Sequence, residues 1–376
     1  MLVLLLHVCV PTGAVEGETV TIDAEMSFDC KSAILMEAST GKVLFEQNPD
    51  EALPPASVTK VMTLLLVMEA IEAGQLQYGD LVTASAHACS MGGSQIFLEE
   101  GEQMTVEDMI KSVVIASAND AAVALAEHIA GTEEAFVKRM NERARELGMA
   151  NTNFENTNGL DDTATNHVTS ARDIAIMSRA LIVYDKITEY SSIWMDTIRG
   201  GEFGLTNTNR LVRFYRGATG LKTGSTSKAG FCISATAERD GMELICVIMA
   251  APTRDVRNAA ATSLLDWGFA NFARMETKGD DTRICTVVGG KKDACRVSYP
   301  DFSVVLPKSD VKRVEQSLSL PESLRAPIGK GETVGAVIYT LDGKEIGRCD
   351  IVAKESVERI GYFGVLQKIL RVLSVF

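Results

Sequence analysis

Three short strings in this chain carry side chains that could perform acyl transfer: Ser57-Val58-Thr59-Lys60, Ser117-Ala118-Asn119 and Lys222-Thr223-Gly224. A serine hydroxyl is a weak nucleophile and needs a base beside it. Positions three apart on a helix share a face, so a helix starting at Ser57 sets the Lys60 amine next to the Ser57 hydroxyl. That amine accepts a proton only when neutral, which demands burial or a nearby positive charge. Lys222 supplies such a charge if its strand faces this helix. The helix N-terminus adds partial positive charge where an oxyanion would form. No Ser-His-Asp triad is suggested, and His128 and His167 need no catalytic role.

Each string alone is weak. Ser-x-x-Lys occurs at Ser39, Ser57, Ser225 and Ser309. Of these, only Ser57 joins a Pro54-Pro55 lead-in to a long apolar helix. Ser39 and Ser225 read as turn residues, and Ser309 as part of a polar stretch after Pro307. Ser-x-Asn and Lys-Thr-Gly each occur once. Ser117-Ala118-Asn119 falls between two buried helices, where unpartnered polar groups cost energy; the bland alternative is helix capping by Ser117 or Asn119. Lys222 and Thr223 precede an apolar strand and could hold a carboxylate, with Gly224 letting a substrate backbone approach.

The elements that must position these strings are legible in the apolar periodicity. Ser32–Met36 and Lys42–Glu46 read as two strands around Gly41. A helix from Ala56 or Ser57 runs to Gly74, and a second enters at Thr105 through a capping-box-like Thr-Val-Glu-Asp. Further helices are expected over Asp120–Ile129, Glu133–Leu147, Ser170–Leu181 and Arg257–Phe272. Phe231–Thr236 and Leu244–Met249 read as strands around the Glu238–Gly241 turn. The polar stretch Asn151–Asn166 is a loop of a length that is more often functional than idle.

With 376 residues, 46% hydrophobic and 23% charged, the chain has room for about two globular domains. A formal charge of −13 argues against nucleic acid, which needs a basic face. Residues 1–10 form an apolar run too short to span a bilayer but suited to a secretory signal, although no basic stretch precedes it. After Lys278, short β-branched segments separated by Gly, Asp and Pro predict a small all-β domain. Glu355–Phe376 reads as an amphipathic helix for a membrane surface, or as one packed on its own protein. Eight cysteines show no metal-site spacing; Cys232 and Cys246 read as buried thiols, whereas Cys285, Cys295 and Cys349 could pair among themselves.

The three motifs, the context Pro54–Lys60, the segment Ser90–Gln95 and the stretch Asn156–Asp162 resemble low-molecular-mass penicillin-binding proteins, specifically D-alanyl-D-alanine carboxypeptidases of the peptidase S11 type. The resemblance covers nearly the whole chain. It implies a mixed α/β serine β-lactamase/transpeptidase-like domain, an antiparallel sheet flanked by helices, over 26–278. A signal and leader would occupy 1–25, a β-rich domain 279–354 and an amphipathic anchor 355–376. Ser57 would be the acylated nucleophile, Lys60 its general base, and Ser117 a proton relay to the leaving amine. Asn119 would hold the substrate amide, while Lys222, Thr223 and Gly224 receive its terminal carboxylate and backbone. The N–H groups of Ser57 and Ser225 would form the oxyanion hole, and Arg257 would help bind the carboxylate, with Arg254 as competitor. The implied partners are peptidoglycan pentapeptide stems, β-lactam antibiotics as covalent inhibitors, and a membrane surface; no cofactor, metal or nucleic acid is implied. The location implied is the outer face of the bacterial cytoplasmic membrane. A serine β-lactamase shares the triplet but would normally lack the extra domain and anchor. A non-catalytic wall-binding scaffold would have no reason to keep all three motifs.

Overall fold

The computed structural model describes residues 26–162 and 164–373; the expected signal and leader lie outside them. The described chain divides into two compact units between Asn271 and Phe272.

In the first unit five antiparallel strands form one sheet in the order Val43–Gln47, Ser32–Glu37, Met242–Ala251, Gly230–Arg239, Ala218–Thr226. The two long central strands join at Asp240 and Gly241, both at positive φ, as a tight hairpin of this twist requires. Side chains alternate across the sheet. Ile34, Met36, Ile245, Val247 and Met249 share one core with the helix Lys60–Glu72. On the other face lies the helix Arg254–Asn271, where a Cβ on Gly268 would stand 2.6 Å from Leu35 and 2.8 Å from Leu244. That glycine lets the helix settle onto the sheet.

The helix Lys60–Glu72 is buried nearly all round, which explains its unbroken apolar run. Helices Val106–Ile115, Glu133–Glu146 and Ala171–Leu181 carry conventional caps: Thr105, Thr132 and Ser170 each accept a hydrogen bond from the N–H three residues on. Asn119–Ala130 is a second helix buried along most of its length.

Several local expectations are corrected. The helix expected from Ala56 or Ser57 opens as a 3-10 turn, Ala56–Thr59, and becomes α-helical at Lys60. In a 3-10 turn positions i and i+3 eclipse, so Ser57 and Lys60 are aligned more closely than on an α-helix. Lys222-Thr223-Gly224 lies within a strand of its own rather than ahead of one. Ser225 belongs to the same strand and not to a turn, because pairing with Phe231 continues the ladder to Thr226. The described cysteines form no disulfide. Cys285 and Cys295 sit directly opposite each other on antiparallel strands, but remain thiols within an apolar core.

Among its described residues the second unit is all-β apart from one α-helix and one 3-10 turn. Phe272–Thr277 pairs with Phe302–Pro307. Six strands form a sheet in the order Val314–Ser319, Thr333–Leu341, Lys344–Ala353, Ala294–Ser298, Ile284–Val288, Ser323–Arg325. Its core gathers Val287, Cys295, Val297, Val337, Tyr339 and Ile351. Phe302 stacks on Tyr339 with ring centroids 3.9 Å apart, over Gly347, where a Cβ would stand 2.3 Å from the Phe302 ring.

The terminal helix is shorter than expected, Tyr362–Leu373 instead of starting at Glu355. Val357 is buried in the β core and Arg359 bridges Gly290, so the intervening residues are held as extended chain. Tyr362, Phe363, Leu366, Ile369, Leu370 and Leu373 are exposed on that helix. No helix among the described residues is long and apolar enough to cross a membrane.

Candidate active site

The site is assembled where the 3-10 turn carrying Ser57 meets the edge strand Ala218–Thr226. Contact is direct: a Cβ on Gly224 would stand 2.6 Å from the Ser57 nitrogen and 2.9 Å from that of Val58. Only glycine allows the two backbones this close. Ser57 is half-buried, whereas Lys60 is fully buried.

The Lys60 amine lies 2.8 Å from Ser57 Oγ, 2.5 Å from Asn119 Oδ1 and 2.9 Å from the carbonyl oxygen of Asn158. Burial, then the positive charge of Lys222, hold its pKa well below the ordinary lysine value, against an opposing pull from Asp120. Lys222 is also buried. Its amine donates to Ser117 Oγ at 2.7 Å and to the Thr223 carbonyl at 2.9 Å. Desolvation, reinforced by the Arg257 charge, brings its pKa down to about 7.

Ser57, Lys60 and Asn119 thus form one linked set and Ser117, Lys222 and Thr223 another, and the short segment Ser117-Ala118-Asn119 contributes a residue to each. Ser117 adopts φ 64°, a left-handed conformation uncommon for serine, between the helices Val106–Ile115 and Asn119–Ala130. Asn119 does more than its sequence pattern suggests. Its Oδ1 accepts from Lys60, its Nδ2 donates to Gly92 O at 2.6 Å, and its backbone N–H reaches Ser94 O at 2.7 Å. Ser225 follows Gly224 on the same strand and is exposed. Arg257 stands one strand behind. Its guanidinium donates to Cys232 O at 3.3 Å and to Asn258 Oδ1, and burial lowers its pKa to about 10, with Arg254 adding to the shift. Arg254 itself is exposed at the start of that helix.

Four supporting residues escaped the sequence reading of the site. Asn158 contributes a backbone carbonyl, which no side-chain pattern reveals. Gly159, at φ 83°, passes so close to the nucleophile turn that a Cβ would stand 1.9 Å from Ala56 O. Thr208 Oγ1 lies 2.8 Å from Thr223 Oγ1. His167 accepts from the Glu155 N–H on Nδ1, so its Nε2 carries the proton and donates to Thr59 Oγ1 at 2.8 Å. Thr59 in turn donates to Ala56 O, tying down a turn whose Ala56 is held at φ 48°. Burial keeps that imidazole neutral, with a pKa of about 4. The stretch Asn156–Asp162 and the segment Ser90–Gln95 were the available signals for Asn158, Gly159 and the Asn119 contacts. Among the described residues, no group of three or more His, Cys, Asp or Glu side chains could hold a metal ion.

An antiparallel sheet between helices, with a hydroxyl, a desolvated amine and a lysine-bearing edge strand converging on one cleft, defines a serine acyl-transfer enzyme. Comparison with known proteins agrees. Residues 19–253 match the peptidase S11 family, described as D-alanyl-D-alanine carboxypeptidase, and residues 274–359 match the C-terminal domain of penicillin-binding protein 5. The chain belongs to the D-alanyl-D-alanine carboxypeptidase family and is a hydrolase. It is 41% identical to D-alanyl-D-alanine carboxypeptidase DacF of Bacillus subtilis, over 92% of this chain and 90% of the relative. Its structure is similar to penicillin binding protein 5 from Haemophilus influenzae, with a TM-score of 0.77, 33% identity, and coverage of 89% of this chain and 99% of the other. It also resembles penicillin-binding protein D2 from Listeria monocytogenes in its ampicillin-bound form, with a TM-score of 0.60, 30% identity, and coverage of 65% and 100%. These likenesses favour the carboxypeptidase over the β-lactamase and scaffold alternatives.

Proposed function

We propose that this protein removes the terminal D-alanine from peptidoglycan pentapeptide stems through an acyl-enzyme on Ser57. The observation that carries the reading is the threefold environment of the Lys60 amine. A neutral amine has two N–H donors and one lone pair. Asn119 Oδ1 and Asn158 O are both fixed acceptors and take the two N–H bonds, which leaves the lone pair for the Ser57 hydroxyl.

Ser57 gives its proton to Lys60 as Oγ attacks the carbonyl carbon of the penultimate residue. The Ser57 and Ser225 N–H groups stabilise the resulting oxyanion. The carbon–nitrogen bond breaks, and the proton taken up by Lys60 is passed on through the Ser117 hydroxyl, which gains one proton as it gives one, to the departing D-alanine amine, leaving Lys60 neutral for the water step. Water then cleaves the ester and restores the Ser57 hydroxyl. The terminal carboxylate is received by Lys222 and Thr223, with Arg257 acting through its charge. The second N–H of the Asn119 amide is available to a substrate carbonyl. An extended peptide can lie along Ala218–Thr226, since an edge strand keeps one row of backbone groups open to a ligand. β-Lactams acylate the same serine.

The chemistry expected of residues 26–278 would fall to the unit that ends at Asn271, and the appended β domain would begin with Phe272–Thr277, which pairs with Phe302–Pro307. Export to the outer face of the bacterial cytoplasmic membrane, with Tyr362–Leu373 lying in the membrane surface, belongs to the same reading. The apolar exposure of that helix supports it. Labelled penicillin is expected to bind wild type covalently and to leave Ser57→Ala unlabelled; mass spectrometry of stem peptides is expected to show loss of one alanine. Labelling that survives in Ser57→Ala refutes the nucleophile. Co-sedimentation with anionic vesicles that persists after removal of residues 362–373 refutes the anchor.

A further inference from the structure

Phe97 combines three features that packing alone does not explain. It is 67% exposed, and its backbone sits at φ 57°, where a bulky residue is a genuine outlier. Its neighbours clamp it there. The Asp120 carboxylate accepts from the Ile96 and Leu98 N–H groups, while Arg199 donates to Ile96 O at 2.8 Å and to Phe97 O at 3.4 Å. Arg199 is itself held at φ 52° and is tied to Glu102 at 2.7 Å. Two strained residues thus brace each other to display one aromatic ring to solvent. A solvated loop would gain from glycine or asparagine at this position; strain kept on an exposed ring points to use.

The position is equally specific. Phe97 follows the segment whose Gly92 and Ser94 carbonyls hold Asn119. Its ring meets Phe203 edge-on at 6.3 Å, with the Arg199 guanidinium 5.3 Å from the Phe203 centroid. Phe203 opens the strand Phe203–Thr206, whose continuation carries Thr208 to Thr223. The aromatic pair therefore joins the two segments that secure Asn119 and Thr223.

Building on the proposed carboxypeptidase reaction, we infer that Phe97, braced by Phe203, is a platform for a sugar ring of the glycan that bears the peptide stem. A protruding ring offers an open face, not a pocket, which suits the C–H face of a pyranose better than an alkyl side chain. Its negative π surface attracts those C–H hydrogens, and its fixed orientation costs little entropy on binding.

The test compares Phe97→Asn, Phe97→Tyr and wild type. Asparagine accepts the left-handed backbone, and thermal melting is expected to show Phe97→Asn at least as stable as wild type. For a disaccharide-pentapeptide substrate, Phe97→Asn is expected to lose about three- to ten-fold in kcat/KM, the size of one aromatic contact. Phe97→Tyr is expected to retain it. D-Alanine release from a short acylated peptide ending in D-Ala-D-Ala, and acylation by labelled penicillin, are expected to stay within about two-fold for both variants. Equal loss on sugar-free and sugar-bearing substrates overturns the platform, as does no loss on either. A wild-type protein that neither takes penicillin nor releases D-alanine strikes the carboxypeptidase reading itself, and the platform falls with it.

Discussion

Gly224 approaches Ser57 so closely that a single added methyl group would stand 2.6 Å from the Ser57 nitrogen. The edge strand and the nucleophile turn are thereby fixed against each other, backbone to backbone. Gly224→Ala is expected to fold with a cost of about 1–3 kcal/mol from overpacking. It is also expected to lower penicillin acylation by about 10²–10³, as for loss of an oxyanion donor. Stopped-flow acylation beside a thermal melt measures both; a wild-type acylation rate would show that the contact does not hold the N–H in place.

Lys60→Arg separates base catalysis from charge. Arginine keeps a positive group at the site but does not give up its proton. Acylation is expected to fall by about 10²–10⁴, the usual share of a general base. An active Lys60→Arg enzyme would refute the neutral-amine mechanism.

The two lysines act on the pH profile of kcat/KM in opposite directions. As pH rises, Lys60 loses its proton and becomes competent, so the rate climbs; its depressed pKa sets this limb well below the ordinary lysine range. Lys222 loses the charge that receives the carboxylate, which lowers the rate from about pH 7 upward in the free enzyme. Because the Arg257 charge helps lower Lys222, Arg257→Gln is expected to move the falling limb to higher pH. A falling limb that stays put removes Arg257 from this role.

Lys222 also predicts a stability trend. Its pKa is about 7 when folded against 10.5 as the reference, so between those values the unfolded chain binds more protons. Stability contributed by this group therefore rises with pH through that window and is lowest below 7. Lys222→Met is expected to raise Tm at pH 6, by about 2–4 °C per kcal/mol recovered, while abolishing carboxylate-dependent turnover. A lower Tm would mean that Lys222 stabilises the fold.

Asp120 is buried and accepts from Ile96 and Leu98. Asp120→Ala leaves both N–H groups without an acceptor, at about 1–3 kcal/mol each. Hydrogen exchange is expected to rise over residues 92–98. Unchanged exchange would show that the loop is held by Arg199 alone.

By itself, the sequence determined the three motif strings, the alternating strands 32–36 and 231–249, the capped helices and the all-β character after residue 278. These are local patterns, set by periodicity and turn chemistry within a few residues. What only tertiary structure decided depends on groups distant in the chain. The Asn158 carbonyl on Lys60 spans 98 positions and bears no side-chain signature. The Lys222–Ser117 bond spans 105 positions, and the burial that lowers the pKa of both amines exists only once helix and strand close on each other. Ser225 looked like a turn residue because its ladder partner, Phe231, lies across a hairpin that local propensity does not see. The terminal helix likewise starts at Tyr362 and not at Glu355, since Val357 is claimed by a core assembled from strands far earlier in the chain.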